Sequence, residues 1–258
     1  MRSLNQSAEP NELRDARSIA WPVAFAGCAI AAVAVLLRQL LPLDELFPLR
    51  VLVLSLFGGA MLFVLAAKYQ LAESFGAANT ATLARGALAM LLFGLLGGGT
   101  HAAVAWLIVI IAVFGLILDG VDGSLARRRG EASAFGARFD MEADALLILA
   151  MTVLAWQFDK AGAWIVLGGA LRYLFVAASY GFAWLRRELP SSRRRQTICV
   201  IQIVSLVVCL VPWVARPWSS SVALIGLLLL SGSFAVDVVW LARRQTGMGA
   251  RVPDTGKR

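Results

Sequence analysis

Eight long apolar runs set the first limit on the fold of this sequence. Hydrophobic residues make up 59% of the 258 residues and charged residues only 16%, whereas soluble domains average about 45–50% apolar and about 25% charged residues. A helix that crosses a bilayer needs about 20 mostly apolar residues. The runs therefore predict an all-α polytopic membrane protein whose eight transmembrane helices lie near residues 18–37, 51–67, 82–98, 102–118, 139–156, 161–185, 197–214 and 221–241.

Basic residues are clustered between these runs. The formal net charge of +8 would fit a nucleic-acid binder. With the amino terminus placed in the cytoplasm, however, 19 of the 24 Lys and Arg residues fall on the cytoplasmic side, as the positive-inside rule predicts. We therefore expect no nucleic-acid partner, and a multi-pass protein of the bacterial inner membrane with both termini in the cytoplasm. Cys28, Cys199 and Cys209 all lie in apolar runs and are interpreted as small hydrophobic residues.

The composition changes near residue 70, where the stretch 71–81 is rich in polar and small residues. Such a stretch is typical of a linker at the membrane surface. It divides the chain into a segment 1–70 with a cytoplasmic amino terminus and two transmembrane helices, a six-helix core over 71–241, and a polar cytoplasmic tail over 242–258. Within the core, the spacing Gly94-x-x-x-Gly98 permits close helix approach and hence a homodimer.

Four of the 16 acidic residues stand close together in the sequence, Asp119, Asp122, Asp140 and Asp144. The fourth apolar run leads directly into Asp119, and the fifth predicted helix begins at about residue 139. Each pair of acids then shares one helix face near the cytoplasmic boundary. Two carboxylates at the carboxyl end of a helix face the negative end of its dipole and repel each other, and acids at membrane depth are costly and usually functional. We therefore expect a compensating positive charge at this site.

The chemistry of these side chains indicates which cation they suit. Four carboxylates with no His or Cys suit Mg²⁺, with Mn²⁺ or Ca²⁺ as alternatives, and Mg²⁺ commonly binds a few carboxylates together with substrate phosphates. The small residues Gly123, Ala126 and Gly136 leave room for a ligand, and Arg127 is able to hold a phosphate through two parallel hydrogen bonds. The alternative is a solvated acidic patch paired with Arg127–Arg129 and Arg138.

The string from Asp119 to Asp144 resembles the signature of the CDP-alcohol phosphotransferase family, D-x-x-D-G-x-x-A-R-x8-G-x-x-x-D-x-x-x-D. All eight fixed positions match with the correct spacing. Upstream, Asn79, Thr82 and Arg85 are similar to the asparagine–threonine–arginine entry to the family's first core helix. The resemblance covers about residues 74–241 and implies a six-helix core, to which the two preceding helices are an addition.

The resemblance also implies a function and a set of site residues. It implies an integral membrane transferase, of the class that moves substituted phosphate groups, which acts in phospholipid biosynthesis and releases CMP from a CDP-alcohol. The implied metal ligands are Asp119, Asp122, Asp140 and Asp144, with two Mg²⁺ ions, or Mn²⁺ in their place, and Asp144 is also the implied catalytic base. The implied substrate-binding residues are Gly123, Ala126, Arg127, Gly136, Asn79 and Arg85. By analogy the donor is CDP-diacylglycerol, with CDP-choline and CDP-ethanolamine as alternatives, and the acceptor alcohol stays open.

Two charged residues outside the motif also carry expectations. Arg172 lies well inside the sixth run, and an arginine within the membrane is a functional candidate. We therefore expect Arg172 to face the acidic site or an acceptor phosphate, and assign it to substrate binding. Asp237, near the inner end of the last run, is expected to pair with Arg243 or Arg244.

Two other classes of protein compete with this interpretation. An intramembrane prenyltransferase also binds Mg-diphosphate with paired aspartates, but its acidic motifs lie in separate halves of the chain, whereas one short link joins Asp122 to Asp140. A cation-binding transporter or a non-catalytic scaffold is the other class. A transporter would place ionisable groups near the bilayer midplane on broken helices, whereas these acids are predicted at the cytoplasmic rim. Release of CMP from a CDP-alcohol separates the proposed enzyme from both.

Overall fold

The computed structural model describes residues 11–69, 75–129, 133–187, 189 and 192–248, and within them all side chains but those of 11–18, 121–129 and 245–248. The described chain is all-α, without a strand. Its α-helices are α1 (Asn11–Leu40), α2 (Phe47–Tyr69), α3 (Ala77–Gly94), α4 (Ala102–Arg129), α5 (Ala134–Gln157), α6 (Val166–Gly181), α7 (Arg193–Leu210) and α8 (Trp218–Met248). Two short 3₁₀ helices, Ala163–Ile165 and Ala183–Arg186, flank α6.

Five segments of the described chain are long and apolar enough to cross a membrane, which indicates an integral membrane protein. They are Ile19–Leu40, Phe47–Tyr69, Ala102–Gly120, Ala163–Gly181 and Trp218–Arg244. The sequence predicted eight such spans. Helices α3, α5 and α7 carry too many polar or charged residues to count as candidate spans. These helices carry polar groups that the bundle buries, such as Arg85 and Gln202. A helix enclosed by other helices meets little lipid, so it tolerates polar residues that a lipid-facing helix would not.

Two helix ends near the acidic residues differ from the sequence prediction. The fourth transmembrane helix was predicted over 102–118 with a link after Asp122, whereas α4 continues to Arg129. The residues beyond the apolar run include leucine, alanine and arginine, which favour helix, and arginines suit the negative end of the helix dipole. Helix α5 begins at Ala134 rather than near residue 139, because the Ser133 side chain accepts a hydrogen bond from the backbone N–H of Gly136 at 2.9 Å.

The first two helices pack against the rest of the bundle through α3. Ile30, Ala34, Phe47 and Val51 join the main hydrophobic core. Helix α2 comes so close to α3 that a Cβ atom on Gly94 would lie 2.5 Å from Val51 Cγ2. The close approach that Gly94 permits is therefore an approach between two helices of the same chain, and the homodimer inferred from its spacing stays a prediction.

A second, smaller core joins the first two helices to the start of α5. Its buried members are Ile19, Leu62, Ala66, Phe75, Phe135 and Phe139. The rings of Phe135 and Phe139 lie 5.8 Å apart, and the Phe75 ring lies 6.3 Å from that of Phe139. The added helices α1 and α2 thus support the turn of α5 that precedes Asp140.

Lys160 follows α5 and lies at the end of the bundle opposite to Asp140. Its buried ammonium group donates hydrogen bonds to the carbonyl oxygens of Val211 at 2.8 Å, Pro212 at 3.1 Å and Val214 at 2.8 Å. These carbonyls follow the last residue of α7, where a cation meets the negative end of the helix dipole. Lys160 therefore links the end of α5 to the turn between α7 and α8.

Helix α6 lies against α5 with no space for a side chain at their crossing. A Cβ atom on Gly169 would lie 2.5 Å from the Leu149 Cα atom and 2.7 Å from Thr152 Oγ1. Because the backbone of α5 cannot yield as a side chain would, we expect Gly169→Ala to destabilise the protein by about 1–3 kcal/mol.

The matched control for this prediction is Gly181→Ala on the same helix. Among the described residues, nothing lies within 4 Å of a Cβ atom built there, and alanine favours helix over glycine. Thermal unfolding in detergent should show a lower melting temperature for Gly169→Ala and an unchanged or higher one for Gly181→Ala. Equal melting temperatures would contradict the close packing of α5 and α6.

Candidate metal and active site

Three carboxylates from two helices meet on the inner side of the bundle. Asp119 projects from α4, and Asp140 and Asp144 lie one turn apart on α5. One oxygen from each of these residues lies within 4.8 Å of the other two. We call Asp119, Asp140 and Asp144 the carboxylate cluster. Their side chains are 27%, 44% and 20% exposed, respectively, so the cluster is open to a ligand on one side.

Arg85 of α3 occupies the buried side of the carboxylate cluster. Its side chain is fully buried, and Nη1 lies 2.6 Å from Asp119 Oδ1. Nη2 donates to Asp140 Oδ1 and to the Asp140 carbonyl oxygen, the latter at 3.3 Å, and lies 3.3 Å from Asp144 Oδ1. A guanidinium fork suits this task, because its donors point in fixed directions at several oxygens. One arginine thus contacts all three carboxylates.

This contact of Arg85 was not predicted from the sequence, where the family motif alone assigned the residue to substrate binding. The compensating charge was expected from a divalent cation, or in the alternative from Arg127–Arg129 and Arg138, whereas Arg85 lies 34 residues before Asp119. One signal was present: an arginine inside an apolar run is a functional candidate. That argument was applied to Arg172 but applies equally to Arg85.

The donor set of the carboxylate cluster fits a hard divalent cation. Oxygen ligands from carboxylates are those that Mg²⁺ and Mn²⁺ prefer. Asp144 Oδ1 is buried and accepts no hydrogen bond from the described residues, and its contact with Arg85 Nη2 at 3.3 Å is an ion pair only. A buried carboxylate oxygen without a hydrogen bond has ligand capacity left for a further cation. The other oxygen of this residue, Oδ2, lies 3.6 Å from the thiol of Cys199 on α7, a contact that the sequence analysis did not anticipate.

Asn79 and Gly136 meet where α3 and α5 begin. A Cβ atom on Gly136 would lie 2.9 Å from Asn79 Oδ1 and 3.1 Å from Ser133 Oγ. Glycine at this position therefore lets the two helix starts approach each other. Since Gly136 precedes Asp140 by one helical turn, this contact lies next to the carboxylate cluster.

The remaining motif residues lie at the end of α4. Asp122, Gly123, Ala126 and Arg127 belong to the continuous helix that carries Asp119. Their side-chain surroundings lie outside the described part of the chain. Their roles as metal ligand and substrate-binding residues stay predictions.

Arg172 of α6 faces α5, but the partner described for it is not one of the three clustered aspartates. Its guanidinium pairs with Glu142, with Nε 3.3 Å from Oε2. Glu142 lies two residues from both Asp140 and Asp144, which places it about half a helical turn away from them. Arg138 Nε lies 3.9 Å from Glu142 as well. The sequence predicted that Arg172 faces the acidic site or a phosphate, whereas the structure places it against a neighbouring acid.

Asp237 of α8 has two partners on α7. It pairs with Arg194, and Arg195 Nη1 lies 3.5 Å from its Oδ1. Arg194 also donates to the carbonyl and hydroxyl oxygens of Ser233, both at 2.9 Å. Asp237 was expected to pair with Arg243 or Arg244, about two turns along its own helix, whereas these contacts join two helices.

Comparison with known proteins agrees with the resemblance found in the motif. The family model of CDP-alcohol phosphatidyltransferase matches residues 75–237, which is more than half of the chain. The match includes α3, α5 and the whole carboxylate cluster. No curated protein and no solved structure matches this chain.

Proposed function

Because the chain belongs to the CDP-alcohol phosphatidyltransferase family, we propose that it is a Mg²⁺-dependent membrane enzyme that transfers phosphatidyl from CDP-diacylglycerol to an acceptor alcohol and releases CMP. Family membership implies the transfer of a phosphatidyl group from a CDP-alcohol. The Mg²⁺ dependence, the diacylglycerol donor and the role in phospholipid biosynthesis are the proposed part. The observation that carries the proposal is the carboxylate cluster, whose oxygens lie within 4.8 Å of one another.

The residues proposed to hold the metal are Asp119, Asp140 and Asp144, together with Asp122 from the motif. A divalent cation bound there would withdraw charge from the diphosphate of the donor and stabilise the CMP leaving group. The open side of the carboxylate cluster leaves room for diphosphate oxygens, which Mg²⁺ commonly takes as further ligands.

Asp144 is proposed to act as the general base. The acceptor hydroxyl oxygen attacks the phosphorus that carries diacylglycerol, and a new phosphorus–oxygen bond forms. The bond from that phosphorus to the bridging oxygen breaks, its electron pair leaves with CMP, and the hydroxyl proton passes to Asp144. The contact from the Cys199 thiol at 3.6 Å supports this role, because a carboxylate that receives a proton must be held in a defined orientation.

The proposed binding residues divide between the two substrates. Asn79 and Gly136, with Gly123, Ala126 and Arg127 from the motif, are assigned to the CDP group. Arg172 is assigned to the acceptor, because a guanidinium that already binds the carboxylate of Glu142 presents donors that also suit a phosphate.

Arg172→Met is expected to raise the KM for a phosphorylated acceptor about tenfold, because one charged contact of about 1.4 kcal/mol is lost. The kcat and the KM for the CDP-alcohol should change little. Steady-state kinetics at saturating donor would measure both constants. The control is Arg38→Met, which removes an arginine paired with Glu45 at the opposite end of the bundle. Equal KM values for the two variants would remove Arg172 from the acceptor site.

The proposed location is the bacterial inner membrane, with the carboxylate cluster and both termini on the cytoplasmic side. The distribution of basic residues supports this orientation, since 19 of 24 then lie in the cytoplasm. Reporter fusions at the two termini would test it, and a periplasmic signal from either would contradict it.

The test of the proposed reaction is CMP release by the purified protein in lipid nanodiscs. CDP-diacylglycerol, CDP-choline and CDP-ethanolamine would each be offered with glycerol phosphate, inositol compounds or serine. We expect CMP from CDP-diacylglycerol with one class of acceptor. If the folded protein releases no CMP from any pair, the scaffold or transporter alternative gains. Turnover of a prenyl diphosphate instead would favour the prenyltransferase alternative.

A further inference from the structure

We propose that Arg85 is a built-in counter-cation of the carboxylate cluster, which holds Asp119, Asp140 and Asp144 together independently of a bound divalent cation. Arg85 is then a positioning residue and not a ligand of the substrate phosphates. This inference rests on the proposed function only for the identity of the bound metal. The family resemblance had placed Arg85 in the substrate site.

The burial of Arg85 supports this assignment. Its side chain has no exposed surface, whereas each of the three carboxylates is partly exposed. Both terminal nitrogens are engaged by the carboxylate cluster: Nη1 by Asp119, and Nη2 by Asp140 and Asp144. A substrate phosphate that approached from the open side would meet the carboxylate oxygens and their metal before it met the guanidinium.

The aliphatic part of the Arg85 side chain packs against helix α4. Gly115 lies one turn before Asp119, and a Cβ atom there would lie 3.8 Å from Arg85 Cγ and 3.3 Å from Leu147 Cδ2. The aliphatic part of Arg85 therefore runs along the face of α4 that carries Asp119. The path is set by packing as well as by charge, as expected for a fixed structural partner.

The charges explain what a metal adds. Three carboxylates and one guanidinium leave two negative charges among the described side chains, which one divalent cation would balance. A second cation would depend on Asp122 and on oxygens of the substrate diphosphate. Removing one partner from a buried charge group leaves the others uncompensated. Stability without metal should therefore depend strongly on Arg85.

The first experiment compares thermal unfolding of wild-type protein, Arg85→Met and Arg85→Lys in nanodiscs, in EDTA and in saturating Mg²⁺, without substrate. In EDTA we expect Arg85→Met to melt roughly 5–10 °C below wild type. Mg²⁺ should raise its melting temperature more than that of wild type, because the metal then supplies the missing charge. Arg85→Lys should lie between the two, since it keeps the charge but loses the fork.

The control is Arg50→Met at the opposite end of the bundle. Arg50 also pairs with an aspartate, Asp44, and donates to the Leu96 carbonyl oxygen at 2.9 Å. Its loss should leave the Mg²⁺-induced shift at the wild-type value. If Arg85→Met melts as wild type in EDTA and instead raises the KM for the CDP-alcohol, Arg85 is a substrate ligand and the inference is wrong.

A second experiment separates this inference from the proposed metal site. In the double variant Arg85→Met/Asp140→Asn one negative charge is removed together with the positive charge, so it should melt above Arg85→Met in EDTA. A higher melting temperature of the double variant supports the counter-cation role of Arg85. If wild-type protein shows no shift of its melting temperature with Mg²⁺, that second result counts against the metal site but not against the role of Arg85. A double variant that melts below Arg85→Met would overturn the counter-cation role. If Arg85→Met does not fold in EDTA, the same comparison is made with Arg85→Gln, which also removes the positive charge.

Discussion

The Asp144→Asn variant is expected to release CMP at least about a hundredfold more slowly than wild-type protein, because an amide cannot accept the hydroxyl proton of the acceptor. The substitution keeps the size of the side chain and an oxygen that can accept from the Cys199 thiol, so the fold should be retained. The rate of CMP release with CDP-diacylglycerol and the acceptor found in the screen would be measured at saturating substrates. A loss of kcat with similar KM values would place the effect on the chemical step.

The control for Asp144→Asn is Asp159→Asn. Asp159 follows the same helix, but its side chain is 83% exposed and it pairs with Arg216 at 3.0 Å at the opposite end of the bundle. Exposed ion pairs contribute little to stability, and asparagine tolerates the positive φ of 54° found there. This variant should keep wild-type activity. If Asp144→Asn retains more than about a tenth of the wild-type rate, another group accepts the proton.

Removal of divalent cations is expected to abolish CMP release. The carboxylates of the cluster repel one another and also repel the negatively charged diphosphate of the donor, so binding of the donor requires added positive charge. Titration of Mg²⁺ into EDTA-treated protein should restore the rate. In Asp140→Asn the concentration needed for half-restoration should rise at least about tenfold, because one charged ligand is lost. The rate as a function of free Mg²⁺ is the measurement.

Glu45→Gln serves as the matched control for the metal titration. Glu45 is 88% exposed and pairs with Arg38 away from the carboxylate cluster, so its titration curve should overlay that of wild type. Full activity in EDTA would contradict a metal-dependent mechanism. A normal titration curve for Asp140→Asn would remove only this residue from the metal site.

Helix bounds show how far apolar runs predict this fold. Each run corresponds to a helix, because a chain in lipid must satisfy its backbone hydrogen bonds internally. The ends were predicted poorly where helices leave the apolar environment. Helix α4 continues to Arg129 and α5 starts at Ala134, since helix ends depend on caps and propensity rather than on hydropathy.

The carboxylate cluster was predictable in part. Helix spacing pairs Asp119 with Asp122 and Asp140 with Asp144, and the short link between the two predicted helices indicated that both pairs belong to one site. Arg172 was predicted to face this site or an acceptor phosphate. In the structure it pairs with Glu142 on another face of α5, and its role toward a phosphate stays a prediction. Which face of α5 meets α6 depends on packing at Gly169, and no local pattern reports it.

The sequence by itself therefore determined a helical membrane protein, its family and the aspartates that meet in the carboxylate cluster, because apolar run length and motif spacing are local properties of the chain. Only the tertiary structure decided which cation faces those aspartates and what supports them. Arg85 lies 34 residues from Asp119 and 55 from Asp140, and the added helices meet α5 through Phe75 and Phe139. Such contacts arise when helices pack, and the packing of helices is a property of the whole chain.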